Sequence, residues 1–286
     1  MDKELKSLLD SMGVGRRDFL VGATVVAGFA LAVQPVGAQA ISTDAKGLKE
    51  GMGAFTSLGA QVPAYMARPE AGSKWPIVLV IQEIFGVHEH IKDVCRRLAK
   101  QGYMAVAPEL YVRQGDPKTV ADIQSIMKTI VPMVPDAQVM ADLDACADWA
   151  ALQGGDINRL AITGFCWGGR IVWLYAAHSS RLKAGVAWYG RLVGAVTENT
   201  PKHPQDIATE IKAPVLGLYG GADPGIPQDT VEKMRESLKR ATKLAEIVVY
   251  PEAPHAFNAD YRPSYRKEPA DDGWKRMLGW MKQNGV

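Results

Sequence analysis

The chain is poor in cysteine: only Cys95, Cys146 and Cys166 occur in 286 residues. Their spacing excludes a close-set zinc ligand group, and three thiols make no disulfide framework, so at least one stays unpaired within a monomer. Cys-x-x-Cys is absent, which removes the usual thiol redox motif. His-Glu-x-x-His is absent too. His88-Glu89-His90 sets two histidines at i and i+2, which do not face each other on a helix, so no metal site is expected. The chain also lacks an excess of one charge. Its 33 basic and 31 acidic residues leave a formal net charge of +2, and no Lys/Arg block forms the stripe that nucleic-acid recognition needs. Aromatic and basic residues are scattered rather than arranged along a base-stacking groove. Beyond residue 40 no apolar run is long enough to span a bilayer, and no repeat or low-complexity tract is present.

What remains is globular in composition: 47% hydrophobic and 22% charged residues suffice for one core, a single catalytic domain over residues 41–286. The first forty residues differ. Gly15-Arg16-Arg17-Asp18-Phe19-Leu20 precedes the apolar, small-residue run Val21 to Val33, and Ala38-Gln39-Ala40 supplies a small-x-small cleavage pattern. This resembles a twin-arginine export signal, with Val21 where lysine is commonly seen. The resemblance implies engagement of the twin-arginine export machinery, cleavage near Ile41 and a periplasmic or otherwise exported enzyme without stable membrane insertion. An uncleaved anchor and an ordinary buried helix are the alternatives, and the run is shorter than the roughly 20 residues a span requires.

Along the rest of the chain, apolar runs alternate with helical periodicity. Candidate strands over residues 54–58 and 62–67 suggest an antiparallel edge, with Pro63 at an edge or entry position. Pro76 to Ile81 reads as a strand buried on both faces, ending in Gln82-Glu83-Ile84-Phe85-Gly86, a candidate functional loop. Helical spacing follows through Ile91, Val94, Cys95 and Leu98, then a strand over Tyr103 to Ala107. Residues 116–134 are apolar but broken by Pro132, and residues 136–152 read as a helix carrying Cys146. Cys95 and Cys146 both read as core residues. Gly154 to Arg159 reads as a turn before a strand over Leu160 to Thr163. Further strands are expected at Ala184 to Gly190, Val215 to Gly220 and Ala245 to Tyr250, with helices over residues 228–241 and around Trp274 to Met281. Strand-helix-strand order predicts an α/β fold with right-handed crossovers. Residues 191–210 are looser, either a cover over a pocket or a plain connection.

Ile162-Thr163-Gly164-Phe165-Cys166-Trp167-Gly168-Gly169-Arg170 is the centre of this pattern. An apolar run, a thiol at a turn, flanking glycines and a helix-like run make the G-x-nucleophile-x-G elbow of an α/β-hydrolase sheet, with cysteine in place of serine. Asp223 and His255 each follow a later apolar strand, so Cys166, Asp223 and His255 fall in loops at the carboxyl ends of a mostly parallel sheet with helices on both faces. A thiol attacks as its thiolate, an imidazole can hold the proton, and a carboxylate can orient the imidazole. Asp223 has a simpler reading as an Asx-turn residue. Asp229 falls in the following helix and Asp260 comes too late to replace it. The Trp167 backbone N–H is one expected oxyanion donor and that of Ile84 the second.

Five ordered segments make a specific resemblance: Gln82 to Gly86, Pro108-Glu109-Leu110-Tyr111, Gly164 to Gly169, Gly220 to Pro227, and His255-Ala256-Phe257. Over roughly residues 54–284 the chain resembles the dienelactone hydrolase (carboxymethylenebutenolidase) family. That resemblance implies an α/β-hydrolase domain, a Cys166-His255-Asp223 triad, no metal and no organic cofactor. It implies that Glu83 contacts the resting nucleophile and takes part in its activation, and that Arg113 binds a substrate carboxylate. Ala259 stands where the family places a second arginine, with Arg262 the nearest replacement. The expected activity is cysteine-dependent hydrolysis of small esters or lactones. A general carboxylesterase of unrelated preference is the alternative, and a non-catalytic binding protein on the same fold the more distant one.

Overall fold

In a computed structural model the described residues are 40–286, other than 121, 242 and 243. The expected export segment, up to residue 39, lies outside them. Eight strands form one sheet: β1 (Leu48–Ser57), β2 (Ala60–Pro69), β3 (Trp75–Ile81), β4 (Met104–Pro108), β5 (Gly155–Phe165), β6 (Leu182–Trp188), β7 (Val215–Gly220) and β8 (Ala245–Tyr250). Among the described residues six α-helices accompany them: α1 (Glu89–Lys100), α2 (Ile123–Thr129), α3 (Asp136–Leu152), α4 (Trp167–His178), α5 (Gln228–Arg240) and α6 (Lys267–Gln283). The order across the sheet is β1-β2-β4-β3-β5-β6-β7-β8. β1 and β2 join antiparallel, and every pairing from β4 through β8 is parallel. This is the expected α/β-hydrolase architecture.

The strand sequences explain the layering. β3, the end of β5, β6 and β7 are nearly continuous Val, Ile, Leu and Ala runs whose side chains are buried, as strands covered on both faces require. The connection from β3 to β4 runs one way along the sheet, and the next returns past β3 to β5. Right-handed crossovers therefore place α1 on one face and α3 on the other. The reversal makes a crevice at the carboxyl ends of β3 and β5, where open α/β sheets bind ligands. The loop holding Glu83 and the turn holding Cys166 both open into it.

Two local expectations change. Residues 155–159 are not a turn before β5 but part of it. Register slips between Pro76 and Ile77 of β3, so Asp156 pairs with Pro76 and Leu160 with Ile77, and Asp156 accepts bonds from Asn158 and Arg159 within the resulting bulge. Pro63 is not on an edge strand, because β2 lies between β1 and β4. Pairing to β4 begins only at Ala64, and the Pro63 carbonyl accepts the Glu109 N–H at 2.8 Å, so the missing donor falls outside that ladder. Cys95 and Cys146 are fully buried, and burial pushes both thiols well above the usual range.

Between the ends of β5 and β6 the packing leaves no room for a side chain. A Cβ on Gly190 would lie 2.3 Å from the Gly169 carbonyl carbon and 2.4 Å from the Arg170 nitrogen, both backbone atoms. Gly190→Ala is expected to lower unfolding stability by about 3 kcal/mol or more, measured by urea denaturation against the parent chain. A loss below about 0.5 kcal/mol would show that this contact is not rigid.

Candidate active site

Cys166 turns the chain from β5 into α4 with φ 56° and ψ −114°, a left-handed conformation that non-glycine residues rarely adopt. Its amide donates to the Trp188 carbonyl at 3.0 Å, which ties the turn to β6. The glycines make the turn possible from both sides. A Cβ on Gly164 would sit 2.4 Å from the Gly168 carbonyl oxygen, and one on Gly168 would sit 2.6 Å from the carbonyl oxygens of Ile81 and Gln82. Elbow and β3 loop thus meet backbone to backbone. Ile84 and Trp167, the two expected oxyanion donors, come to line one cavity of about 150 Å³.

The three expected strand-end residues converge. Asp223 Oδ1 accepts the Gly225 amide at 2.8 Å, and its Oδ2 lies 2.6 Å from His255 Nδ1. The local turn and the histidine contact use different oxygens, so both readings of Asp223 hold together. His255 is buried, and its Nε2 makes no well-formed hydrogen bond. Burial opposes its charge, but Asp223 and the adjoining Cys166 outweigh that and hold its pKa well above the usual value.

Glu83 lies in a buried polar cluster that the sequence only partly disclosed. Its Oε2 accepts the Tyr261 hydroxyl at 2.6 Å and lies 3.5 Å from His88 Nε2, while Oε1 has no hydrogen-bond partner. Burial alone would raise the Glu83 pKa, but the Arg262 guanidinium and His88 bring it far below the usual carboxylate range. Arg262 is 2% exposed, donates from Nε to the Tyr261 hydroxyl at 3.0 Å, and packs over the Phe85 ring at 4.9 Å. Three residues beyond the buried Ala259, the Arg262 guanidinium is enclosed, and Tyr261, Glu83 and Cys166 sustain its charge against the cost of burial. Tyr189 completes the wall, with its ring edge-on to His255 at 5.1 Å and a buried hydroxyl. Tyr189 directly follows β6 and was not among the expected site residues, while Tyr261 comes from the segment before α6 and is brought here only by the fold.

Arg113 is placed differently from the sequence expectation. It grips Asp142 of α3 with two bonds of 2.7 and 3.0 Å and donates to the Ser57 carbonyl at 2.7 Å. It is absent from the cavity lining. The guanidinium holds the fully buried Asp142 carboxylate against the end of β1, a structural task.

The 191–210 connection does cover the cavity, through Arg191, Ala195, Thr200 and His203, with Met127 and Val131 of the 116–134 excursion opposite. Polar bonds fix the cover in place. Arg170 binds Asp136 with two bonds of 2.7 Å, the Lys202 carbonyl at 2.7 Å and His203 Nδ1 at 3.2 Å. Because His203 Nδ1 accepts, its Nε2–H donates to the Ala195 carbonyl, 3.0 Å away. A larger groove of about 500 Å³ between the end of β8 and α6, lined by Tyr250, Glu252, Arg266 and Glu268, holds none of these groups. Size alone would misplace the chemistry.

The fold and this assembly define a carboxylic-ester hydrolase of the α/β-hydrolase type. The chain belongs to the dienelactone hydrolase family, which it matches over residues 62–285. It is 58% identical to a protein of Methylorubrum extorquens provisionally named carboxymethylenebutenolidase, over 100% of this chain and 98% of that one. A protein of the same provisional name from Escherichia coli K12 is 57% identical over 92% and 97%. A crystal structure from Klebsiella pneumoniae, provisionally described as a dienelactone hydrolase, superposes with TM-score 0.81 at 63% identity, over 82% of this chain and 99% of that one.

Arg113→Ala is expected to cost about 3–5 kcal/mol of stability, because it strands the buried Asp142 charge, and to change kcat/KM equally for neutral and anionic esters. Denaturant titration and paired assays test this. Selective loss of anionic substrates with unchanged stability would return Arg113 to substrate binding.

Proposed function

We propose that this protein hydrolyses small esters or lactones through a Cys166 thioester, with His255 and Asp223 completing the triad. The observation that carries the reading is the Asp223-His255 hydrogen bond with Cys166 adjoining at the switch point of the sheet, and Ile84 and Trp167 lining one cavity. The resting site holds the Cys166 thiol, the Glu83 carboxylate and protonated His255. Glu83 takes the thiol proton on Oε1, and the thiolate attacks the carbonyl carbon. The Ile84 and Trp167 amides hold the oxyanion. Collapse breaks the C–O bond, and the leaving alkoxide takes a proton from His255 Nε2. Neutral His255 then removes a proton from water as the water attacks the thioester. Thiolate departs with the carboxylic acid released, and Glu83 returns the proton to sulfur. In a lactone the alkoxide stays tethered, so one opened product leaves. No metal or organic cofactor enters any step.

The substrate reading is a small acyl group. Three features support breadth beyond a dienelactone: the cavity volume, Arg113 engaged with Asp142, and alanine at position 259. The Arg16-Arg17 segment supports export of the precursor by a twin-arginine route and a periplasmic mature enzyme.

Cys166→Ala is expected to lower kcat/KM at least about a thousandfold on dienelactone, neutral lactones and short acyl esters. Full retention of activity by both Cys166→Ala and Cys166→Ser would end the case for thiol catalysis. Replacing Arg16 and Arg17 together by lysine is expected to leave the precursor in the cytoplasm of a twin-arginine-competent bacterium. Unchanged fractionation would refute the export route.

A further inference from the structure

His88 and His90 frame the start of α1, and both imidazoles are buried, at 5% and 6% exposure. His88 Nε2 lies 3.5 Å from Glu83 Oε2, and His90 Nδ1 lies 3.3 Å from Asp260 Oδ1. The two rings stack at 6.1 Å and 21°, and the Tyr261 ring meets them at 5.2 and 5.1 Å. Phe85 packs edge-on to His88, and Phe165 to His90. None of the four ring nitrogens makes a well-formed hydrogen bond. A neutral imidazole carries at least one N–H, and burying it unpaired is unfavourable. Apolar rings would fill the same space without that penalty, so packing alone does not account for two histidines.

The charges around the pair come from three elements. Glu83 faces His88 from the loop after β3. Asp260, Tyr261 and Arg262 face the pair from the segment before α6, and Arg97 of α1 holds Asp260 with a charged contact. Arg97 is shared between Asp260 and the buried Asp93, and a proton gained by His88 places its charge directly beside Glu83.

We propose that His88 is a positioning residue for Glu83 and that it sets the lower pH limit for activating the Cys166 nucleophile. The proposal rests on the reading of Glu83 as acceptor of the Cys166 proton. A proton gained by His88 lets Nε2–H donate to Glu83 Oε2 and hold that carboxylate as an anion. Glu83 is then the weaker base, and the thiol keeps its proton. Activity therefore falls as pH drops through the ionisation of His88 and recovers as it rises. Burial lowers the His88 pKa, and His90 and Arg262 add to this against the opposing pull of Glu83. The limit thus falls on the acid side of the ordinary histidine range.

The test is the pH dependence of kcat/KM and of thiolate ultraviolet absorbance in the full chain, His88→Gln, His90→Gln and Glu83→Gln. Glutamine keeps polar bulk without titrating in this range. In His88→Gln the acid limb of both readouts is expected to move about one pH unit lower, with kcat near neutrality within about threefold of the parent. His90→Gln removes a group that lowers the His88 pKa and should move the limb the other way, to higher pH. If Glu83→Gln is fully active, the premise about Glu83 fails and the proposal with it. If Glu83→Gln is impaired while the His88→Gln profile superimposes on the parent, the proposal alone is overturned. Should His88→Gln not fold, NMR of the His88 ring carbons in the parent decides: titration along the acid limb supports the proposal, and one unchanged protonation state across that limb overturns it.

Discussion

The close approach of two backbone segments governs this molecule. At Gly168 the elbow after β5 lies against the Ile81 and Gln82 carbonyls at the end of β3, with no space for a side chain between them. Because the strand order reverses around β3, these two carboxyl ends belong to neighbouring strands with connections leaving in opposite directions. Their contact sets Trp167 beside Ile84 and opens the crevice in which a carbonyl substrate would sit. It also fixes Cys166 in a left-handed conformation that cysteine does not favour. The rest of the fold over-determines that strain: β6 accepts the Cys166 amide through Trp188, and α4 continues directly from the turn.

Two charged clusters flank the thiol and do different work. On one side His255 and Asp223 form a buried pair in which the carboxylate orients the ring and sustains its charge. On the other, Glu83 shares a closed environment with Arg262, Tyr261 and His88. The guanidinium over Phe85 compensates the desolvation that would otherwise neutralise Glu83. A carboxylate held so far below its usual pKa is a reluctant base in the resting protein.

The cavity lined by Ile84 and Trp167 is bounded by the Arg191 to His203 connection and by residues of the 116–134 excursion. The cover from Arg191 to His203 holds because Arg170, one helical turn beyond the nucleophile, reaches Asp136, the Lys202 carbonyl and His203 together. Asn199 adds bonds to Pro132 and to the Asp136 amide. Catalytic helix, cover and α3 therefore form one unit, and the small volume they enclose limits what can reach Cys166.

Much of this was legible in the sequence, because strand-end chemistry is local. Apolar β-branched runs determined the parallel strands, and glycines around a thiol determined the elbow. Asp223 and His255 could be found because each follows its own strand within a few residues. Side chains that act across elements were not legible. Nothing in the spacing of Arg113 distinguishes a substrate contact from its grip on Asp142, since the partner lies on a helix 29 residues later. Tyr261 and Arg262 reach Glu83 across some 178 residues of sequence, and His88 and His90 acquire meaning only once α1 is laid against that segment. By itself the sequence determined the architecture and the three strand-end residues, through periodicity and turn chemistry. Only the tertiary structure decided which arginine serves Glu83, which one braces the fold, and what closes the cavity, because burial and distance between remote segments set the energy of a charge.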